Sequence, residues 1–80
     1  MMAMQILEVD IKLPYRERGS VLSRLLSKVS GRIKDIHFLP PDATGMSEIR
    51  MELIGGKELV QELRKVVKIG KLSFKVLSEA

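Results

Sequence analysis

The sequence predicts an α+β fold, a ferredoxin-like βαββαβ sandwich with a four-stranded antiparallel sheet and two helices on one face. Three observations lead there. Segments around Leu7–Leu13, Ile49–Leu53 and Leu72–Val76 alternate apolar and polar residues, the period of a half-buried strand. Two other segments carry apolar residues at helical spacing. Proline and glycine clusters separate these runs and set their order, and short right-handed connections fold that order into the split βαβ sandwich. The first and third strands are then central and the second and fourth are edges.

Each element has its own justification. Leu7, Val9, Ile11 and Leu13 alternate with Glu8, Asp10 and Lys12, and Pro14 ends the strand because it has no N–H for a ladder. Val21, Leu22, Leu25, Leu26 and Val29 make one helical stripe, with Ser20 as its expected N-cap and Gly31 as its stop. Ile33–Leu39 reads as the second strand, with Ile36 and Phe38 directed to the core. Pro40–Gly45 is a turn cluster, expected to be the least ordered part. Ile49, Met51 and Leu53 form the third strand, broken by Gly55-Gly56. Leu59, Val60, Leu63, Val66 and Val67 form the second helix, with Lys65 and Lys68 in its last turn and Gly70 as its cap. Leu72, Phe74 and Val76 complete the sheet.

Eighty residues make a single domain, 1–80, and the absence of cysteine removes disulfides, thiolate metal sites and cysteine nucleophiles. A core this small favours dimerisation as a further source of stability. The apolar runs are too short to cross a bilayer, which takes about 20 residues, and the first residues lack a signal peptide's pattern. A cytoplasmic protein without a membrane partner is the expectation. The chain has no Asn and few Gln, a composition that leans towards thermophile usage. Fourteen Lys and Arg against ten Asp and Glu give a net charge of +4, enough for attraction to acidic partners and not diagnostic of nucleic acid.

Many functions share this fold, so a site must choose among them. The open sheet face carries Glu8, Asp10, Lys12, Glu48, Arg50 and Glu52 on the central strands. An RNA-recognition module needs aromatic rings there, so that reading is disfavoured. These carboxylates alternate with Lys12, Arg50 and Lys75, which reads as cross-strand ion pairing and not as an acid/base or metal cluster. His37 is the lone histidine, and a stable metal site takes three or four ligands. Neither a catalytic residue, a metal nor a cofactor is therefore expected. Arg24 and Lys28 on the first helix, near Arg16, Arg18, Arg32 and Lys34, form a basic stripe. That stripe supports an alternative reading as a nucleic-acid-associated protein. An exposed strand edge supports another, a structural pairing module.

The most distinctive stretch joins the first strand to the first helix, Lys12-Leu13-Pro14-Tyr15-Arg16-Glu17-Arg18-Gly19-Ser20-Val21-Leu22. A helix start in a basic loop offers unpaired N–H groups and a positive dipole end, which suit an anion. Glu17-Arg18-Gly19-Ser20-Val21-Leu22 followed by Ser23-Arg24-Leu25-Leu26 resembles the first loop and helix of the ACT domains, which often read Asp-Arg-Pro-Gly-Val-Leu. Asp35-Ile36 is similar to the Asn-Ile that opens that family's second strand. Gly19 stands where the family often has Pro, and Ser20 where it usually has Gly.

The resemblance implies a small, non-enzymatic regulatory domain, a homodimer or higher oligomer, that binds an amino acid where the first loop meets a neighbouring subunit. It places Glu17, Arg18, Gly19, Ser20 and Val21 at that ligand site. Glu17 would pair with the ligand's ammonium group. The Ser20 and Val21 N–H groups, with Arg18, would take its carboxylate.

Overall fold

The computed structural model describes residues 4–79. Seven elements follow one another: β1 (Gln5–Pro14), a 3₁₀ turn (Tyr15–Glu17), α1 (Arg18–Val29), β2 (Ile33–Leu39), β3 (Met46–Gly55), α2 (Lys57–Val66) and β4 (Lys71–Glu79). The strands form one antiparallel sheet in the order β2-β3-β1-β4. This is the ferredoxin-like βαββαβ arrangement that the alternation and helical stripes predict.

The alternation of the central strands decides which face is dry. Leu7, Val9, Ile11 and Leu13 stand opposite Leu53, Met51, Ile49 and Ser47, and all eight are buried. Val21, Leu25 and Val29 of α1 and Leu59, Val60 and Leu63 of α2 close over them. The one buried polar side chain among these, Ser47, donates its hydroxyl to the Leu13 carbonyl at 3.3 Å. Desolvation therefore leaves no orphaned side-chain polar atom among the described residues.

Four local expectations are corrected. The first helix begins at Arg18, with Glu17 in the capping position, and not at Ser20. The 3₁₀ turn after Pro14 has already bent the chain, so Ser20 lies inside the helix, where its Oγ donates to the Glu17 carbonyl at 3.3 Å. Phe38 lies on the helix side of the sheet, opposite Ile49, but it is 47% exposed. It stands on an outer strand beside Arg18, where a guanidinium covers the ring in place of an apolar side chain.

The turn cluster 40–45 is a hydrogen-bonded structure. Asp42 Oδ1 accepts from Thr44 N at 2.9 Å, Thr44 Oγ1 at 2.6 Å and Met46 N at 3.1 Å. Asp42 N also donates to the Met46 carbonyl at 2.8 Å, and Gly45 takes the positive φ of 84° that closes the turn. Finally, α2 ends at Val66 with Val67 capping it, four residues before the segment reaches β4. Gly70 serves close approach to β1: a Cβ there would lie 2.2 Å from the Lys12 carbonyl oxygen and 2.9 Å from Leu13 Cβ.

Gly70→Ala therefore pushes a methyl group against backbone that sits in the sheet's central ladder, and should lower stability by about 1–3 kcal/mol. Gly19→Ala meets nothing within 4 Å. It replaces glycine in a helix and should raise stability by about 0.5–1 kcal/mol. Urea denaturation of the two variants, read by far-ultraviolet circular dichroism, should move in opposite directions.

Candidate functional site

The junction between β1 and α1 is built from the strand outward. Pro14 closes β1 opposite Met46, and its lack of an N–H releases the chain from the ladder. The next residue is caught at once: Tyr15 N donates to the Gly45 carbonyl at 2.9 Å. The tip of the β2–β3 hairpin thus holds the start of the loop, and Asp42 in turn holds that tip. The Asp42 carboxyl is held below its ordinary value of 3.8, first by the Thr44 hydroxyl and then by the Met46 and Thr44 amides. Each of those donors favours the ionised form.

Above this support lies an open groove of about 460 Å³, lined by Tyr15, Arg16, Arg18, Gly19, Leu22 and Phe38. Its size falls in the range of small-molecule sites. The Arg18 guanidinium carbon lies 4.5 Å from the Tyr15 ring centre and 5.4 Å from that of Phe38. Both distances are within cation–π reach, so two rings hold the side chain's direction. A guanidinium so placed keeps its N–H donors for a planar anion. Tyr15, Phe38 and Leu22 supply apolar walls.

The five residues expected at the site divide. Arg18 and Gly19 line the groove. Glu17 and Ser20 flank it in the chain without lining it. Val21 is 2% exposed and packs into the core. With the helix capped by Glu17, the Val21 N–H belongs to the first i→i−4 bond, which removes it as a free donor. Tyr15, Arg16, Leu22 and Phe38 are the groove residues that sequence reasoning missed. Asp-x-Thr-Gly at 42–45 is a recognisable Asx-turn signal, yet its contact with Tyr15 depends on tertiary structure.

The charged open face has a different character. Arg50 lies 2.8 Å from Asp10, 3.1 Å from Glu48 and 3.7 Å from Glu8. Lys75 lies 3.1 Å from Glu8, and Lys12 lies 4.0 Å from Glu48. The hydrogen bond to Asp10 is the main cause that raises the Arg50 pKa further above its ordinary value. Asp10 and Glu8 meet Arg50 across from β1, and Glu48 meets it from two residues back along β3. His37 Nε2 lies 2.9 Å from Asp35 Oδ2 on the exposed β2 edge. Among the described residues no group of three or more His, Cys, Asp or Glu is arranged to hold a metal ion, and no helix is long and apolar enough to cross a membrane.

The fold recurs in solved structures of low sequence similarity. An uncharacterized protein from Thermotoga maritima, TM1266, has a TM-score of 0.77 at 16% identity, over 94% of this chain and 99% of that one. A de novo designed protein, Foldit4, has a TM-score of 0.61 at 17% identity, over 96% and 99% of the two chains. A formyltetrahydrofolate deformylase from Pseudomonas putida KT2440 has a TM-score of 0.62 at 14% identity, over 91% of this chain and 28% of that one. At these identities the likeness is one of fold. No family model and no curated protein sequence matches the chain.

The support beneath the loop carries a pH signature. Because the folded-state pKa of Asp42 is depressed, its contribution to stability is complete above the ordinary carboxyl value and is lost as pH falls through its own lower one. Asp42→Asn should therefore be less stable than the parent at neutral pH, with the difference shrinking as pH falls below the ordinary carboxyl value. Amide hydrogen exchange at Tyr15 should be faster in the variant, since the carbonyl that holds it sits on the loosened turn.

Proposed function

We propose that this chain is a non-enzymatic regulatory domain of ACT type, which pairs with a second copy and binds a small carboxylate metabolite in the groove beside the first loop. The amino-acid ligand implied by the loop's resemblance is one member of that class. The observation that carries the reading is the convergence of Arg18, clamped by Tyr15 and Phe38, with Arg16 in a groove at the very junction that resembles the family. A cation with apolar walls matches a ligand that has a carboxylate at one end and a hydrophobic body at the other.

Pairing has its own support. Leu26 lies one helical turn beyond Leu22, which lines the groove, and is 39% exposed. With Phe38 and Tyr15, at 47% and 49%, it extends the apolar wall out to solvent. A second copy laid along α1 and the β2 edge covers these side chains and deepens the open groove.

Calorimetric titration with a panel of amino acids and other small carboxylates tests the ligand claim. At least one should bind, and Arg18→Ala should weaken it about ten- to a hundred-fold, the loss of a hydrogen bond to a charged group. A panel that produces neither heat nor a shift in melting temperature would sink the reading. Sedimentation equilibrium tests the pairing: the parent should run as a dimer, and Leu26→Glu should run as a folded monomer.

A further inference from the structure

The groove carries charge of one sign. Arg16 and Arg18 line it, and its other lining residues are Tyr15, Gly19, Leu22 and Phe38, none of them acidic. Among the described residues neither guanidinium has a carboxylate within 4.0 Å. This contrasts with Arg50, which has three carboxylate partners on the opposite face of the sheet. Other unpaired cations, such as Lys28 and Lys57, stand exposed on helices and outside the groove.

A zwitterion needs a second recognition element of opposite sign. Its ammonium group sits two bonds from its carboxylate, so a carboxylate held by Arg18 brings the ammonium close to the same guanidinium groups. A like charge at that distance, partly shielded from water by two rings and Leu22, weakens binding. Glu17, the residue that would have compensated it, does not line the groove.

Resting on the ligand-groove reading above, we infer that the site selects an organic anion with a flat or branched apolar body and no ammonium group. Within the carboxylate class proposed above, a 2-oxo acid or an aryl carboxylate fits that description, and the matching amino acid binds more weakly. The carboxylate takes the Arg18 donors, Arg16 adds long-range attraction, and the body lies against Tyr15, Phe38 and Leu22. A 2-oxo group next to the carboxylate adds a second acceptor for the same donors, where an amino acid presents a cation.

The same geometry shows how to reverse the preference. Gly19 lines the groove, is exposed, and has no atom within 4 Å of a Cβ built on it. Asp at this position fits the first turn of a helix and brings a carboxylate to the groove wall. Gly19→Asp therefore supplies the missing partner for an ammonium group.

The test titrates phenylpyruvate and phenylalanine, which share a ring and a carboxylate and differ at the 2-position, into the parent protein and into Gly19→Asp. The parent should bind phenylpyruvate at least about tenfold more tightly than phenylalanine. Gly19→Asp should narrow or invert that ratio. Arg16→Gln, on an exposed side chain, should weaken phenylpyruvate and leave the thermal midpoint in place. Equal or tighter binding of phenylalanine by the parent overturns the inference while the ligand-groove reading stands. If neither compound binds and no other carboxylate does, both fall.

Discussion

The pairing of β1 with β3 sets everything else in the molecule. Leu7, Val9 and Ile11 face Leu53, Met51 and Ile49 across the two central strands, and every one of these side chains is buried beneath the helices. A slip of one residue would turn Glu8, Asp10 and Glu52 into the core and the leucines into water, so this register has no near competitor. The same register places Asp10 opposite Arg50 on the wet face. At the far end of the ladder it places Pro14 opposite Met46, which brings the hairpin tip beside the first loop. The bond from Tyr15 to Gly45 follows from that placement.

Two surfaces of different electrostatic character result. On the open face, Arg50 and Lys75 meet Glu8, Asp10 and Glu48 at short range. Exposed pairs of this kind contribute little to stability, but they cancel the local field. At the first loop, among the described residues, no carboxylate lies within 4.0 Å of Arg16 or Arg18, so part of the net charge of +4 is felt there, in a concave place with apolar walls. The groove is also anchored. One side descends from the buried helix turn that carries Val21 and Leu25, and the other rests through Tyr15 on the turn held by Asp42. A loop with both ends fixed loses less freedom when it meets a ligand.

The glycines and the termini of elements show where local reading falls short. Ser20 has the residue type of an N-cap and stands just before the apolar stripe, yet the helix starts two residues earlier. Burial of the stripe does not depend on where the first turn begins, and the 3₁₀ turn after Pro14 lets the helix start sooner. Gly70 has the residue type of a helix stop, yet it is required because the chain passes against the Lys12 carbonyl. Phe38 obeys the strand's alternation, yet on its edge strand it meets the Arg18 guanidinium and stays half exposed. In each case the local pattern is present and the deciding neighbour is distant in sequence.

The order of the six principal elements, the identity of the central and edge strands, the dry face of the sheet and the apolar stripes of both helices were all legible in the chain. They follow from periodicity, and burial rewards periodicity wherever it occurs. The first loop was also legible as a basic, glycine-containing helix start, because that is a local feature. The composition of the groove was not. Tyr15, Arg16 and Leu22 are near neighbours of the expected site, but Phe38 arrives from an edge strand some twenty residues later, and the Asp42 turn comes from beyond it. Only the folded chain shows that Arg18 lies against two rings and that Glu17 does not line the groove. Charge and shape at a site are sums over residues that the chain keeps apart and the sheet brings together.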